Sequence, residues 1–235
     1  GIIYDRDWVK NKYLDKDTAS KLWLVRVDMN RIAQEGNWGF QFYELILHSI
    51  LLTCNKHRQI EDIDEIMKEI AELDSKVITS KDELMAHRFL EMAIHRLCQV
   101  YNIKLCFLFD EFDDTYRIKM PVGVFAQLRA IRDANKYQVL YVLSLRNLPE
   151  KLRTPDQNEG FFELISDRMI PMGFYSKRDV FAIIDKWEKR LETKLFQEQR
   201  ELIWEFSGGH PGIARALFNL LTDPKLGVQN NVSTE

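Results

Sequence analysis

The stretch Ile103-Lys104-Leu105-Cys106-Phe107-Leu108-Phe109-Asp110-Glu111 limits the possible folds most, because an almost unbroken apolar run ends at two adjacent carboxylates. A strand covered by helices on both faces reads as a continuous hydrophobic run, whereas a half-solvated strand alternates. In open α/β sheets the ligand sits beyond the carboxyl ends of the strands. The run therefore predicts a buried strand that delivers Asp110 and Glu111 to the edge where such folds do their chemistry. The plainer role for Asp110 is to cap the next turn, and Asp113 and Asp114 read as a solvated acidic turn.

A second apolar strand is predicted over Gln138-Val139-Leu140-Tyr141-Val142-Leu143-Ser144-Leu145-Arg146. Between the two lies a helix that starts at Met120-Pro121-Val122-Gly123 and uses Phe125, Leu128 and Ile131. Strand, helix, strand in this order implies a right-handed parallel crossover, which puts Ser144 and Arg146 on the same sheet edge as Asp110. Upstream, Lys21 to Asp28 is β-branched and aromatic and reads as a further strand, with Asp28 ending it or capping the turn at Asn30. Two helical periodicities follow, one from Tyr43 to Cys54 and one from Ile60 to Leu73, the second read as peripheral. Ser80 and Glu83 form an S-x-x-E capping box for a third helix that leads into the acidic strand. Asn147 to Asn158 reads as loop, Phe161 to Ile165 as a short helix, and Arg168-Met169-Ile170-Pro171-Met172 as a final strand.

From Ser176 onward the pattern is helical. Val180, Ile183, Ile184, Trp187 and Leu191 make one apolar face, and Leu202, Ile203 and Phe206 another. Ser207-Gly208-Gly209-His210-Pro211-Gly212 breaks the chain before a last helix with Ile213, Ala216, Leu217 and Leu220. Trp38, Trp187 and Trp204 share helical spacing with apolar neighbours and are read as core.

Composition excludes several classes. At 235 residues the chain can bury a substantial core. A formal charge of −3 gives no global attraction to nucleic acid. Arg153 and Lys177-Arg178 are read as surface charge. Cys54, Cys98 and Cys106 are odd in number and lack metal-ligand spacing, which argues for reduced core thiols of an intracellular protein and against zinc; with no signal-peptide pattern at the N-terminus, a cytoplasmic protein is expected. No apolar run reaches the roughly 18 to 20 residues of a membrane span, so no membrane partner is expected. The chain begins Gly1-Ile2-Ile3-Tyr4 without methionine, and the expectation is a fragment whose start is missing.

In this order the motifs resemble P-loop ATPases of the AAA+ and STAND type, over about Leu22 to Leu221. Phe107-Leu108-Phe109-Asp110-Glu111 resembles a Walker B strand. Val142-Leu143-Ser144-Leu145-Arg146 resembles a sensor 1 strand that ends in a hydroxyl residue and an arginine. Ser207-Gly208-Gly209-His210-Pro211 is similar to the lid motif of STAND proteins, and Arg168 occupies a position like that of an AAA+ arginine finger. The resemblance implies an α/β fold of the ASCE P-loop NTPase type, a parallel sheet flanked by helices and followed by a small helical lid. Its domains would be a core over residues 1–173, a lid over 174–222 and a tail or linker over 223–235.

The activity implied is that of an ATP-binding or ATP-hydrolysing molecular switch that couples nucleotide state to lid movement, with ATP/ADP and Mg²⁺ as cofactors and self-association or other protein domains as partners. Asp110 would hold Mg²⁺ through water and Glu111 would activate the attacking water. Ser144 or Arg146 would sense the γ-phosphate, Arg168 would serve a neighbouring site, and His210 and Pro211 would contact nucleotide from the lid. For Arg146 the alternative is a salt bridge to Asp110 or Asp113; for Arg168, an ion pair with Asp167; for His210, a cap on the helix at Pro211. No G-x-x-x-x-G-K-[ST] loop occurs in the sequence. In the family it would precede the strand at Leu22, so residues 1–13 would be the end of the helix that follows it, and a glycine-lysine loop is expected just before Gly1. The alternatives are a non-catalytic interaction module on a degenerate ATPase scaffold, and an origin-recognition-like or transposition ATPase acting on DNA, to which Phe174-Tyr175-Ser176 is similar.

Overall fold

A computed structural model describes residues 12–33, 35–58, 60, 62–117, 120–148, 151–152, 159–166 and 168–223. The expectations for residues 1–11, for most of the loop read over Asn147 to Asn158, including Arg153, for Asp167 and for the tail from 224 lie outside these. The chain divides into two compact units, Gly1–Arg168 and Met169–Glu235.

In the first unit β1 (Leu22–Asp28), β2 (Lys104–Asp110) and β3 (Val139–Leu143) form a three-stranded parallel sheet with β2 in the middle. Val25 stands opposite Phe107, and Phe107 opposite Tyr141. α1 (Lys16–Lys21) leads into β1 and is capped by Asp15, whose carboxylate accepts from the Thr18 N–H. Between β1 and β2 run α2 (Trp38–Cys54), α3 (Ile63–Ser80) and α4 (Glu83–His95). After β2 come the short α5 (Asp113–Arg117), α6 (Val122–Ala134), β3 and α7 (Glu159–Ser166).

Local chemistry explains the boundaries. Asn37 caps α2 by accepting from the Phe40 N–H. Asp28 accepts from the Asn30 N–H and caps a single 3₁₀ turn, as the sequence suggested. The predicted capping box is displaced: Asp82, not Ser80, caps α4, accepting from the Met85 N–H at 2.8 Å. Ser80 is still the last residue of α3, its hydroxyl donating to the Val77 carbonyl, and Lys81 closes that helix at φ +51°. α3 is also less peripheral than its charged face implied, since Ile66, Ile70, Leu73 and Val77 are buried in the same core as the sheet.

Strand parity divides the sheet into unlike faces. Trp23, Val25, Val27, Leu105, Phe107 and Phe109 are buried on one face. Ile46 of α2, Leu90 and Ile94 of α4, and Leu128 and Ile131 of α6 meet over Phe107, Phe109 and Tyr141. The other face carries Leu24 and Cys106, which are buried, but at β3 it presents Leu140 and Val142 with 54% and 45% exposure. Cover on both faces, expected from the continuous apolar run, is therefore complete on one face only among the described residues. Arg26, Leu108 and Asp110 share the parity of the open face.

His87 of α4 is 8% exposed, with the Tyr43 ring edge-on at 5.1 Å and Glu91 Oε2 3.6 Å from Nδ1. Burial holds its pKa below the ordinary 6.5, with Glu91 acting against that shift and Arg88 with it. The unfolded chain thus binds this proton more readily, and stability must fall as pH drops through about 6.5 toward the depressed folded value. Thermal melts between about pH 7 and about pH 5 should show this slope in the wild type and a flatter one in His87→Gln; equal slopes would remove His87 as the cause.

In the second unit residues 169–176 carry no regular secondary structure and pair with no strand among the described residues, so the final strand expected over Arg168–Met172 is not formed. Pro171 lacks the N–H that a ladder needs, and the division between the units falls immediately before Met169. The segment is held instead by the Tyr175 N–H donating to the Gly209 carbonyl at 2.9 Å. Gly209, at φ +83°, approaches so closely that a Cβ there would lie 2.2 Å from Tyr175 O, which requires glycine. Ser176 and Asp179 form a reciprocal capping box at α8 (Lys177–Leu191), which is followed by α9 (Gln197–Ser207) and α10 (Pro211–Thr222). The three helices close on Val180, Ile184, Leu195, Ile203, Ala214 and Phe218. Trp187 and Trp204 pack against this cluster and Trp38 against the first unit's core, as read from the sequence. Among the described residues no helix is long and apolar enough to cross a membrane.

Candidate functional site

The carboxyl edge of the sheet gathers four of the expected residues. Backbone bonds continue the ladder past the strand ends: the Ser144 N–H donates to Phe109 O at 2.8 Å, and the Phe112 N–H donates to Ser144 O at 2.9 Å. Between these bonds Glu111 adopts φ +55°, a left-handed conformation that a non-glycine residue holds only where its surroundings enforce it. The turn aims the Glu111 carboxylate at β3's continuation, where Oε2 lies 2.8 Å from Arg146 Nη2. Asp114 Oδ2 is 4.0 Å from the same nitrogen. Arg146 is thus paired with Glu111 and Asp114, not with Asp110 or Asp113 as the sequence suggested. The two expected partners are used elsewhere.

Asp110 Oδ2 accepts from Arg26 Nη2 at 2.8 Å across the open face of the sheet. Sequence reading missed Arg26. Its signal was a lone cation at an outward position of Leu22-Trp23-Leu24-Val25-Arg26-Val27-Asp28, one pleat short of a strand end. Asp113 is fully buried and accepts from Asn147 Nδ2 at 3.1 Å, which corrects the expectation of a solvated turn. Its burial follows from the loop after β3, which supplies Asn147 as a donor in place of water. Ser144 is exposed at the edge. Among the described residues, carboxylates outnumber guanidinium groups here, so the edge carries excess negative charge. Hard oxygen ligands in excess suit a divalent cation such as Mg²⁺. A phosphate needs clustered backbone N–H donors or a lysine, which the described residues of this edge do not bring.

The remaining expected residues are Arg168, His210 and Pro211. Arg168 is exposed after α7, its backbone N–H on Ile165 O, and among the described residues no contact ties it to Glu111 or Arg146. His210 and Pro211 belong to the second unit. There His210 is the N-cap of α10, its Nδ1 accepting from the Ile213 N–H at 3.3 Å beside the Phe174 ring. Pro211 fills the first helical position, where no donor is lost. The capping role foreseen for His210 is therefore its structural one. Cys54, Cys98 and Cys106 are free and buried. Burial pushes the first two thiols up to about 12 and the third up to about 11, which leaves almost no thiolate for nucleophilic work at neutral pH.

Comparison with protein-family models, curated proteins and solved structures finds no match to this chain. The fold and the edge define an α/β protein with an acidic, arginine-bridged site at the carboxyl end of a parallel sheet.

Proposed function

We propose that this chain is the nucleotide-responsive part of an ATP-dependent conformational switch of the STAND/AAA+ kind. The observation that supports the reading is the 2.8 Å contact between Glu111 and Arg146, made from the ends of neighbouring parallel strands. In this reading Asp110 holds Mg²⁺ through water, Glu111 orients or deprotonates the attacking water, and Ser144 or Arg146 senses the γ-phosphate. Arg26 and Arg146 then serve as resting counter-ions that the incoming charge exchanges for its own. His210 and Pro211 would report nucleotide state through the second unit, and Arg168 would act on a neighbouring copy. The G-x-x-x-x-G-K-[ST] loop that supplies the phosphate cradle in this reading does not occur in the sequence.

A second reading is favoured by one observation: Asp110 and Glu111 are both already ion-paired, as they would be if the acids only tie strand ends together. The chain would then be a protein-interaction module on the same scaffold. Titration of the full-length protein with MgATP separates the two. The switch reading expects saturable binding, and expects Glu111→Gln to retain binding while turnover falls by about 100-fold or more. Absence of MgATP binding overturns the switch and leaves the module. Turnover unchanged in Glu111→Gln removes Glu111 from the chemistry.

A further inference from the structure

Away from the sheet edge, α2 and α3 pack against each other and bring a different set of ligating side chains together. Glu44 and His48 stand four residues apart on α2, the spacing that puts two side chains over one another on one helical face. Asp74 reaches them from α3. The ligating atoms of the three residues all lie within 4.8 Å of one another. Asp74 is only 6% exposed, and His48 Nδ1 lies 3.6 Å from its Oδ2. Its other oxygen, Oδ1, is buried and has no hydrogen-bond partner among the described residues. A buried carboxylate oxygen facing no donor is costly unless a positive charge takes the donor's place. The neighbouring Glu44 adds a second carboxylate, raised in pKa first by burial and then by Asp74, with His48 and Arg31 acting in the opposite sense. One imidazole thus lies beside two carboxylates, and one buried carboxylate oxygen has no donor among the described residues.

We propose that Glu44, His48 and Asp74 form a binding site for one divalent first-row transition metal ion, with Zn²⁺ as the reference ion. Three protein ligands of mixed nitrogen and oxygen type leave a fourth position for water, the donor set of an open tetrahedral site. The imidazole discriminates against Mg²⁺ and Ca²⁺, which take oxygen ligands throughout. The site bridges two helices, so a bound ion staples α2 to α3 and stabilises the layer that covers the sheet. It is independent of the carboxyl edge and of any nucleotide.

The test uses metal-stripped full-length protein titrated with Co²⁺ and, separately, with Zn²⁺. Expected are one equivalent of Co²⁺ with strong visible d–d absorption, its displacement by Zn²⁺ but not by excess Mg²⁺, and a melting temperature that rises with Zn²⁺ concentration. Asp74→Asn and His48→Gln should each abolish the one-equivalent binding, while Asp110→Asn should leave it intact. His48 is partly exposed, so its variant remains informative if Asp74→Asn does not fold. Absence of stoichiometric binding in the wild type overturns the site. So does binding that persists in His48→Gln or is lost in Asp110→Asn.

Discussion

Phe109→Ala is expected to lower the stability of the sheet unit by about 3–5 kcal/mol, the range for emptying a phenylalanine-sized volume in a packed core. Phe109 is 1% exposed and lies at the centre of an aromatic cluster. Its ring centroid is 6.0 Å from Phe42, 6.1 Å from Phe107, 5.4 Å from Phe112 and 5.8 Å from Tyr141. These neighbours come from α2, β2, the turn after β2 and β3, so no single element can move in to fill the space. Rigid ring-on-ring contacts relax less than aliphatic ones, which puts the loss toward the upper part of that range. Urea unfolding should show a lower midpoint with an unchanged slope. A loss below about 1 kcal/mol would mean the ring does not occupy the packed centre. Leu140→Ala, at a half-exposed position one strand over, is the matched control and should cost far less.

Phe218→Ala should unfold most of the second unit under conditions where the sheet unit stays folded. Phe218 is 1% exposed on α10 and its ring lies 5.2 Å from that of Trp187 on α8. The unit's buried cluster comprises Val180, Ile184, Leu195, Ile203, Ala214 and Phe218, and Phe218 has its largest side chain. A unit this small has little stability to spare, so a loss of about 3–5 kcal/mol is comparable to all it has. Hydrogen exchange reads the result by region: amides of α8, α9 and α10 should lose protection while those of β1, β2 and β3 keep theirs. Equal loss in both sets would show that the two units unfold as one.

The strands and most helices could be read from the chain because each is encoded locally. The run into Asp110 announced a buried strand, the apolar run Val139-Leu140-Tyr141-Val142-Leu143 announced its neighbour, and the two do lie parallel and side by side. Readings failed where partners decide the outcome. Met169 to Met172 is as apolar as a strand, but no neighbouring ladder takes it up. Ser80 matches a capping box by spacing, yet Asp82 stands closer to the turn and carries the stronger acceptor. Pairings at the edge were harder still. The type of Arg146's partner was legible but not its identity, because the left-handed turn at Glu111 decides which carboxylate faces it. Arg26 answers Asp110 through strand register, and Asp74 meets Glu44 and His48 through the packing of two helices. In both cases local sequence marks a candidate residue but does not name its partner.

The two backbone bonds that join the turn after β2 to residue 144 have a practical consequence for dissecting this edge. They run through main-chain atoms alone, so exchanging the Ser144 side chain for any residue but proline leaves the latch in place. The hydroxyl can be subtracted cleanly, with the posture of Glu111 unaltered. Proline at position 144 does the reverse, removing the N–H that reaches Phe109 O while nearly all the edge's chemistry stays on the molecule. Scaffold and reactive group are thus separable by genetics at this one place.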